Sequence, residues 1–145
     1  MLAEDGSDSA SLDEALELLM RTGRQLDHAT AMLIVPAWEE AAHRLTPELA
    51  AFYRYHAPLM EPWDGPAALA FSDGRAVGAA LDRNGLRPCR YKIRDDGVVT
   101  GGSEVGQFDF DDERVVEKGR LGPGEMLLVD LRQQRVLHDA ELRER

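Results

Sequence analysis

The sequence has 145 residues, 43% of them apolar and 30% charged, which is the composition of one globular domain with its own core. No apolar run approaches the ~20 residues of a membrane-spanning helix and no export signal opens the sequence, so we expect a soluble, cytoplasmic protein with no membrane partner. The formal net charge of −10 repels phosphate backbones and argues against nucleic acid as a partner.

The region from residue 6 to residue 62 is predicted to be helical, and its first helix has the strongest signals. Ser11 and Glu14 have the spacing of a capping box, so this helix is expected to begin at Ser11. Gly23 supplies the positive φ that commonly follows the last turn of a helix. The apolar side chains between them recur at helical spacing and predict one buried face: Leu12, Ala15, Leu16, Leu19 and Met20.

Two shorter helices are predicted after the first. Asp27 is expected to cap a helix that continues to Leu33. Thr46 followed by Pro47 predicts the start of a third helix, because a threonine cap and a proline at the first helical position are both favoured there. His56 shares the apolar face of this helix, which predicts a core histidine with a satisfied hydrogen bond rather than a ligand.

The region from residue 65 to residue 138 predicts antiparallel strands. Two runs, 67–72 and 75–81, flank Asp73-Gly74, a dipeptide favoured in hairpin turns. Further strands are predicted at 89–93, 98–100, 125–131 and 135–138, and the acidic stretch 108–113 is predicted to be a surface loop. Helices followed by an antiparallel meander give an α+β fold class rather than a β-α-β alternation.

The residues by themselves identify no catalytic constellation. The four histidines are far apart in sequence, and no nucleophile has a base at a diagnostic spacing. The single cysteine, Cys89, cannot form an internal disulfide and has no partner at zinc-ligand spacing, so no metal site is predicted. Composition and periodicity therefore lead only to a soluble α+β domain.

Several ordered motifs resemble the glutamine amidotransferase domain of the glutamate synthase large subunit. They are Gly6-Ser7-Asp8-Ser9, Met60-Glu61-Pro62-Trp63-Asp64-Gly65-Pro66, Asp82-Arg83-Asn84-Gly85-Leu86-Arg87-Pro88, Gly102-Ser103-Glu104-Val105-Gly106, Lys118-Gly119-Arg120-Leu121 and Pro123-Gly124. The resemblance extends over nearly the whole chain. It implies a partial four-layer α-β-β-α sandwich of the N-terminal-nucleophile hydrolases, with helices on the N-terminal side followed by an antiparallel sheet.

The resemblance also implies a substrate-binding segment. Gly6-Ser7-Asp8 looks like the element that holds the α-amino group of glutamine, with Asp8 as the carboxylate that binds the ammonium. Gly6 and Ser7 would contribute backbone and shape. Without the resemblance, Asp8 would be interpreted only as a negative charge that favours the N-terminus of a nearby helix.

Other motifs imply a scaffold near the active site rather than catalytic groups. Within Asp82 to Pro88, Gly85 allows positive φ, and Arg87 can pair with a carboxylate such as Asp82 or Glu104. Asn84-Gly85 is not expected to be the oxyanion hole, because the family's Asn-Gly pair precedes the aspartate element. The residues assigned to the scaffold are Asp82, Gly85, Arg87, Ser103 and Glu104.

No catalytic residue is assigned to this chain. The resemblance implies a nucleophilic cysteine at the N-terminus of the enzyme, where its own α-amine acts as the base. This sequence begins Met1-Leu2-Ala3-Glu4, and Cys89 is internal. We therefore expect residues 1–145 to be the C-terminal part of a class II amidotransferase domain that is inactive alone. Strands missing from such a part would leave unpaired sheet edges, which predicts association.

For the complete enzyme, the resemblance implies hydrolysis of glutamine to glutamate and ammonia, which domains carrying FMN and an iron–sulfur cluster use for glutamate biosynthesis. No cofactor is expected in this chain itself. Its expected partners are glutamine and the remainder of the glutamate synthase chain. Two alternatives stay open: a free-standing, non-catalytic binding module, or one half of a split amidotransferase whose neighbouring chain carries the cysteine.

Overall fold

The computed structural model describes residues 6–38, 45–104, 106–109 and 111–145. Val105, in one of the motifs above, and Phe110, in the acidic stretch, lie outside the described residues. The chain divides into two units, a helical Met1–Trp63 and an Asp64–Arg145 unit that contains antiparallel sheets. This mixture of helices and antiparallel sheet confirms the predicted α+β class. Within the described ranges, no helix is long and apolar enough to cross a membrane.

Helix α1, Asp8–Arg21, begins one turn earlier than predicted. Its N-cap is Ser7, whose hydroxyl accepts a hydrogen bond from the amide of Ala10 at 3.3 Å. Ser11 therefore lies inside the helix, and the predicted capping box is wrong. The extra turn adds backbone hydrogen bonds and places the negative charge of Asp8 at the helix N-terminus, where it is favourable.

Helix α2, Leu26–Leu33, also begins earlier than predicted. Its N-cap is Gln25, so the predicted cap at Asp27 is wrong. Leu26 is buried and anchors the first turn, and the carboxylate of Asp27 accepts a hydrogen bond from the amide of His28 at 3.0 Å.

The end of α1 and its buried face agree with the sequence. Gly23 has φ +94°, and its amide donates to the carbonyl of Met20 while the amide of Arg24 donates to that of Leu19, as in a Schellman motif. Leu19 is buried against α2, and the rest of the predicted face packs beside it, partly buried: Leu12, Ala15, Leu16 and Met20.

Helix α3, Pro47–His56, begins as predicted. The hydroxyl of Thr46 accepts a hydrogen bond from the amide of Leu49 at 3.2 Å, and Pro47 is the first helical residue. His56 is buried, as predicted, with its ring 4.5 Å from that of Phe52. However, its Nδ1 atom has no hydrogen-bond partner in the described part of the chain, so the expected satisfied hydrogen bond is absent there.

The second unit contains seven strands in its described residues and ends in a short helix, α4, Asp139–Arg143. In chain order the strands are β1 Ala68–Ser72, β2 Ala76–Leu81, β3 Arg90–Arg94, β4 Val99–Gly102, β5 Val115–Arg120, β6 Met126–Asp130 and β7 Arg135–His138. They form two antiparallel sheets, one in the order β1-β2-β6-β7 and the other in the order β4-β3-β5.

The predicted hairpins are confirmed, but the predicted single meander is wrong. β2 pairs with β6 across a long stretch of sequence, so β3 to β5 leave the first sheet and build the second. β5 and α4 are absent from the sequence prediction. β5 alternates half-buried and exposed positions and has three charged residues among its six, a pattern too polar to stand out as a strand.

The core of this unit is built from both sheets. Leu81 and Leu127 come from the first sheet, and Tyr91 packs against them from β3 of the second. Cys89 and Leu121, which precede and follow strands of the second sheet, complete the cluster, and the amide of Leu121 donates to the carbonyl of Cys89 at 2.9 Å. The segments that enter and leave the second sheet are therefore fastened to the core.

Candidate functional site

The segment predicted to bind glutamine lies at the start of α1. Gly6, Ser7 and Asp8 are all exposed. The hydroxyl of Ser7 caps α1 and lies 3.1 Å from the hydroxyl of Ser9. The cap holds the backbone at Ser7 extended, with φ −70° and ψ 156°, and Asp8 is the first helical residue. The local geometry therefore places Asp8 where a helix N-terminus favours a carboxylate, and its contact with glutamine stays a prediction.

The carboxylate of Asp82 is the centre of the predicted scaffold motif, and only 2% of the residue is exposed. One of its oxygens accepts a hydrogen bond from the amide of Ala67 at 3.0 Å, and the other accepts one from the amide of Asn84 at 3.0 Å. The Asp82 carbonyl also accepts from the amides of Gly85 and Gly124, each at 2.9 Å. Backbone amides thus compensate the burial of this charge.

Gly85 connects two of the motifs that resemble the family. Its φ is +59°, and a Cβ atom built there would lie 2.9 Å from the Cα of Pro123. Glycine is required both by the backbone conformation and by this close approach. The turn Asp82 to Pro88 is therefore packed against the Pro123-Gly124 turn that leads into β6, and its role as scaffold near the active site stays a prediction.

The expected partner of Arg87 is not found. The Asp82 carboxylate is taken up by backbone amides, Glu104 is exposed after β4, and Arg87 is itself exposed. Among the described residues, Arg87 forms no ion pair with either carboxylate. The arginine of this motif that does form an ion pair is Arg83, 3.2 Å from Asp64 at the surface, where such a pair adds little stability.

Cys89 has the environment of a structural cysteine. It is buried in the core cluster, and burial raises the pKa of its thiol. A nucleophilic cysteine needs a stabilised thiolate, which nearby cations or a helix N-terminus commonly provide. The surroundings of Cys89 act in the opposite direction, as the sequence interpretation expects.

The predicted residues Ser103 and Glu104 follow β4, and Glu104 borders a groove on the second sheet. The groove encloses about 390 Å³, and Glu104 and Gln107 are among its lining residues. Four cationic side chains also line this groove, so we call it the cationic groove. They are Arg90, Lys92, Lys118 and Arg120. This groove was not predicted, although the cations at alternate positions of 90–94 and 118–120 are its signal in the sequence.

The described ranges contain no group of three or more histidine, cysteine, aspartate or glutamate side chains arranged to hold a metal ion. Apart from the cationic groove, acidic and basic side chains at the surface form several ion pairs. One example is Arg114, whose guanidinium lies 2.8 Å from a carboxylate oxygen of Asp95. Such exposed pairs add little stability.

The family of the chain is decided by comparison with known proteins. Residues 1–145 match the family model described as class-II glutamine amidotransferases. The chain belongs to this family. It is 48% identical over 143 residues to the large chain of glutamate synthase [NADPH] from Bacillus subtilis (strain 168), covering 99% of the chain and 9% of that protein.

Relatives with other electron donors in their names are equally similar. Glutamate synthase [NADH] from Schizosaccharomyces pombe is 47% identical over 99% of the chain, and ferredoxin-dependent glutamate synthase 2 from Synechocystis sp. is 50% identical over 95%. The chain spans 7% and 9% of the length of these two relatives. The recognised resemblance to glutamate synthase is therefore confirmed, and this segment does not separate the donor classes.

Proposed function

We propose that the chain is part of the glutaminase domain of glutamate synthase and contributes to the binding of glutamine for hydrolysis to glutamate and ammonia. The observation that carries this proposal is the capped segment Gly6-Ser7-Asp8 at the start of α1, in a chain that matches class-II glutamine amidotransferases throughout. In this proposal the ammonia serves glutamate biosynthesis, and the remainder of the glutamate synthase chain is the partner.

Asp8 is proposed to bind the α-ammonium of glutamine. Its carboxylate makes no ion pair with another residue in the described part of the chain, so it is available to a cationic group of a substrate. The Ser7 cap fixes the backbone on which Asp8 stands, which limits the entropy lost when a substrate binds. A carboxylate and an ammonium form a charge-assisted hydrogen bond, which is stronger than a neutral one.

Asp82, Gly85, Arg87, Ser103 and Glu104 are proposed to shape the domain near the site rather than to react. The buried hydrogen bonds of Asp82 and the contact between Gly85 and Pro123 support this role for the first two. For Arg87, Ser103 and Glu104 the proposal rests on the family resemblance, and their exposure leaves them accessible to other parts of a larger protein.

We further propose that the nucleophile of the complete enzyme is supplied by residues other than those of this sequence, and that this chain alone has no glutaminase activity. The support is the burial of Cys89 and its raised pKa, both of which disfavour a thiolate. One cysteine also cannot provide the several thiolates of an iron–sulfur cluster, so the cluster is proposed to lie in other domains, and FMN is assigned there from the family resemblance alone.

The role of Asp8 is tested by replacing Asp8 with Asn in a full-length protein that carries this segment. The KM for glutamine in glutamate formation is expected to rise by about tenfold or more, because a hydrogen bond to a charged group is lost. Asp13→Asn is the matched control, since Asp13 is an exposed acidic residue of the same helix. An unchanged KM in Asp8→Asn, or an equal rise in the control, would refute the proposed contact.

The alternative is a chain that acts as a free-standing binding module or as one half of a split amidotransferase. An antibody raised against residues 82–91 would measure the mass of the native product in cells. A product far heavier than 16.1 kDa supports the proposal. A product near 16.1 kDa supports the alternative, and a co-purifying chain with an N-terminal cysteine would then indicate the split enzyme.

A further inference from the structure

Four cations lie on one face of the β4-β3-β5 sheet. In the register of β3 and β5, Arg90 is directly opposite Arg120, and Lys92 is directly opposite Lys118. Side chains alternate along a strand, so all four lie on the same face, and Tyr91 packs into the core from the other face. Like charges directly opposite each other destabilise a sheet, and this protein has a net charge of −10.

Only one of these cations has a carboxylate partner at close range. The ammonium of Lys92 lies 2.6 Å from a carboxylate oxygen of Asp112. Arg90, Lys118 and Arg120 are exposed and form no ion pair or hydrogen bond through their side chains with any other residue that the structure describes. These three side chains thus have no ion-paired or hydrogen-bonded carboxylate among the described residues, and of the three only Lys118 is influenced by the nearby charge of Asp112.

The loop after β4 turns this charged face into a concave site. Gly102 lies opposite Arg90 in the register, and a Cβ atom at Gly102 would collide with the side-chain amide of Gln107. The missing side chain therefore lets Gln107 approach the sheet beside Arg90. The amide nitrogen of Gln107 donates to the hydroxyl of Ser103 at 3.4 Å.

We propose that the cationic groove binds a small multivalent oxyanion, a di- or tricarboxylate or a phosphate compound, through Arg90, Lys118 and Arg120. The planar guanidinium groups of Arg90 and Arg120 match the geometry of carboxylate and phosphate oxygens. Lys118, on the same strand as Arg120, adds a compact positive charge. An oxyanion between the opposed arginines also relieves their mutual repulsion.

The size of the groove favours a small molecule over a polypeptide or nucleic acid. A volume of about 390 Å³ lies within the range of small-molecule sites, and the site is lined by a few converging polar groups. Glu104 and Asp112 also line the groove, so a long run of negative charge would meet two carboxylates as well as the cations. A short, compact anion avoids this repulsion. The inference does not depend on the proposed glutamine site.

The test is calorimetric titration of the 145-residue protein with citrate and, separately, with pyrophosphate at low ionic strength. We expect saturable binding with a Kd below about 1 mM for at least one of the two anions. The anion that binds more tightly shows whether the groove prefers carboxylate or phosphate groups. Arg120→Gln should weaken binding about tenfold, and Glu104→Gln should tighten it about threefold.

Arg132→Gln is the matched control, because it removes one exposed arginine from the turn between β6 and β7. It should leave the Kd unchanged within about twofold. Folding of the groove variant is checked by its thermal midpoint, which should not fall, since Arg120→Gln removes one member of a like-charge pair.

The absence of saturable binding by both anions up to about 10 mM would overturn the proposal. Equal weakening by Arg132→Gln and Arg120→Gln would also overturn it, because the effect would then be one of overall charge. If an octaglutamate peptide binds in a manner that needs Arg120 while both small anions fail, the groove is a site for an acidic polypeptide and the small-anion assignment is wrong.

Discussion

The carboxylate of Asp82 accepts a hydrogen bond from the amide of Ala67 at 3.0 Å, and the amide of Asp82 donates to the carbonyl of Ala67 at 3.1 Å. These two residues flank β1 and β2 at the open end of their hairpin. The second carboxylate oxygen binds the amide of Asn84 and so fixes the turn that follows. One buried side chain therefore closes a hairpin and starts the connection to the second sheet.

Replacement of Asp82 by Asn is expected to lower the free energy of unfolding by about 1–3 kcal/mol. The amide side chain has one acceptor oxygen in place of two, so its NH₂ group would face the amide of Ala67 or that of Asn84. Urea unfolding followed by circular dichroism measures the loss. Asp109→Asn is the control in an exposed loop and should change the free energy by less than about 0.5 kcal/mol. Equal losses in both variants would show that the buried hydrogen bonds of Asp82 are not the cause.

Replacement of Gly85 by Ala tests the contact between the two turns. The φ of +59° is unfavourable for alanine, and the new Cβ atom would lie 2.9 Å from the Cα of Pro123, a backbone atom that cannot move aside easily. We expect the free energy of unfolding to fall by about 2–4 kcal/mol, the sum of conformational strain and overpacking.

Gly97→Ala separates these two contributions. Gly97 has a similar φ of +83°, but a Cβ atom there meets no other atom within 4 Å. This variant should lose only the conformational part, about 1 kcal/mol. The difference between the two variants measures the contact with Pro123, and equal losses would mean that the two turns are not tightly packed.

Local sequence signals predicted most of the helices and hairpins, but they did not predict which distant strands pair. Gly23 and the Thr46-Pro47 pair act within one turn of chain, so the sequence alone placed them correctly. The pairing of β2 with β6 instead joins strands that are distant in sequence, and the turn at Asp82 contacts the turn at Pro123 beside it. Nothing in either segment by itself indicates that they touch.

The candidate sites show the same difference between local signals and long-range contacts. The family resemblance selected Asp82 and Gly85 as scaffold. Arg87 was predicted to pair with Asp82 or Glu104, but the Asp82 carboxylate accepts hydrogen bonds from backbone amides and Glu104 is exposed. The cationic groove was missed because Arg90 and Arg120 are brought together only by the strand register, 30 positions apart in sequence. The alternation of charged residues is visible in the sequence of each strand, but the sequence does not show that the two strands pair.

The pH dependence of stability is expected to depend on His56. Burial, followed by the nearby positive charges of His28 and Arg24, lowers the pKa of His56 below its ordinary value of 6.5. The unfolded chain therefore binds a proton more readily, so the contribution of neutral His56 is complete above pH 6.5 and is lost as the pH falls below it. Urea unfolding at about pH 7.5 and about pH 5.5 should show lower stability at the acidic value.

His56→Leu should reduce this difference in stability, because it removes the titrating group and fills the same apolar site. His138→Gln serves as the control on a half-buried histidine of the other unit and should leave the contribution of His56 intact. If His56→Leu retains the full difference between the two pH values, another group causes it.

A last prediction concerns the pKa of Tyr91. Its hydroxyl donates a hydrogen bond to a carboxylate oxygen of Glu117 at 3.0 Å, and the Nε2 atom of His138 lies 3.4 Å from the same oxygen. Burial first, then the hydrogen bond and negative charge of Glu117, raise the pKa of Tyr91 above its ordinary value of 10.0. The folded state therefore keeps the phenol proton longer, and the stability from this contact is lost as the pH rises above 10.0.

Glu117→Gln removes the negative charge but keeps an acceptor, so the pKa of Tyr91 should move down toward 10.0 without reaching it, because the burial remains. Ultraviolet absorbance of tyrosinate measures the titration, and subtraction of the Tyr91→Phe curve isolates Tyr91 from the two other tyrosines. Glu113→Gln, at an exposed acidic position, should leave the curve unchanged. If both glutamate variants titrate like the unmodified protein, Glu117 does not influence Tyr91, and the raised pKa is due to burial and the charge of Glu125.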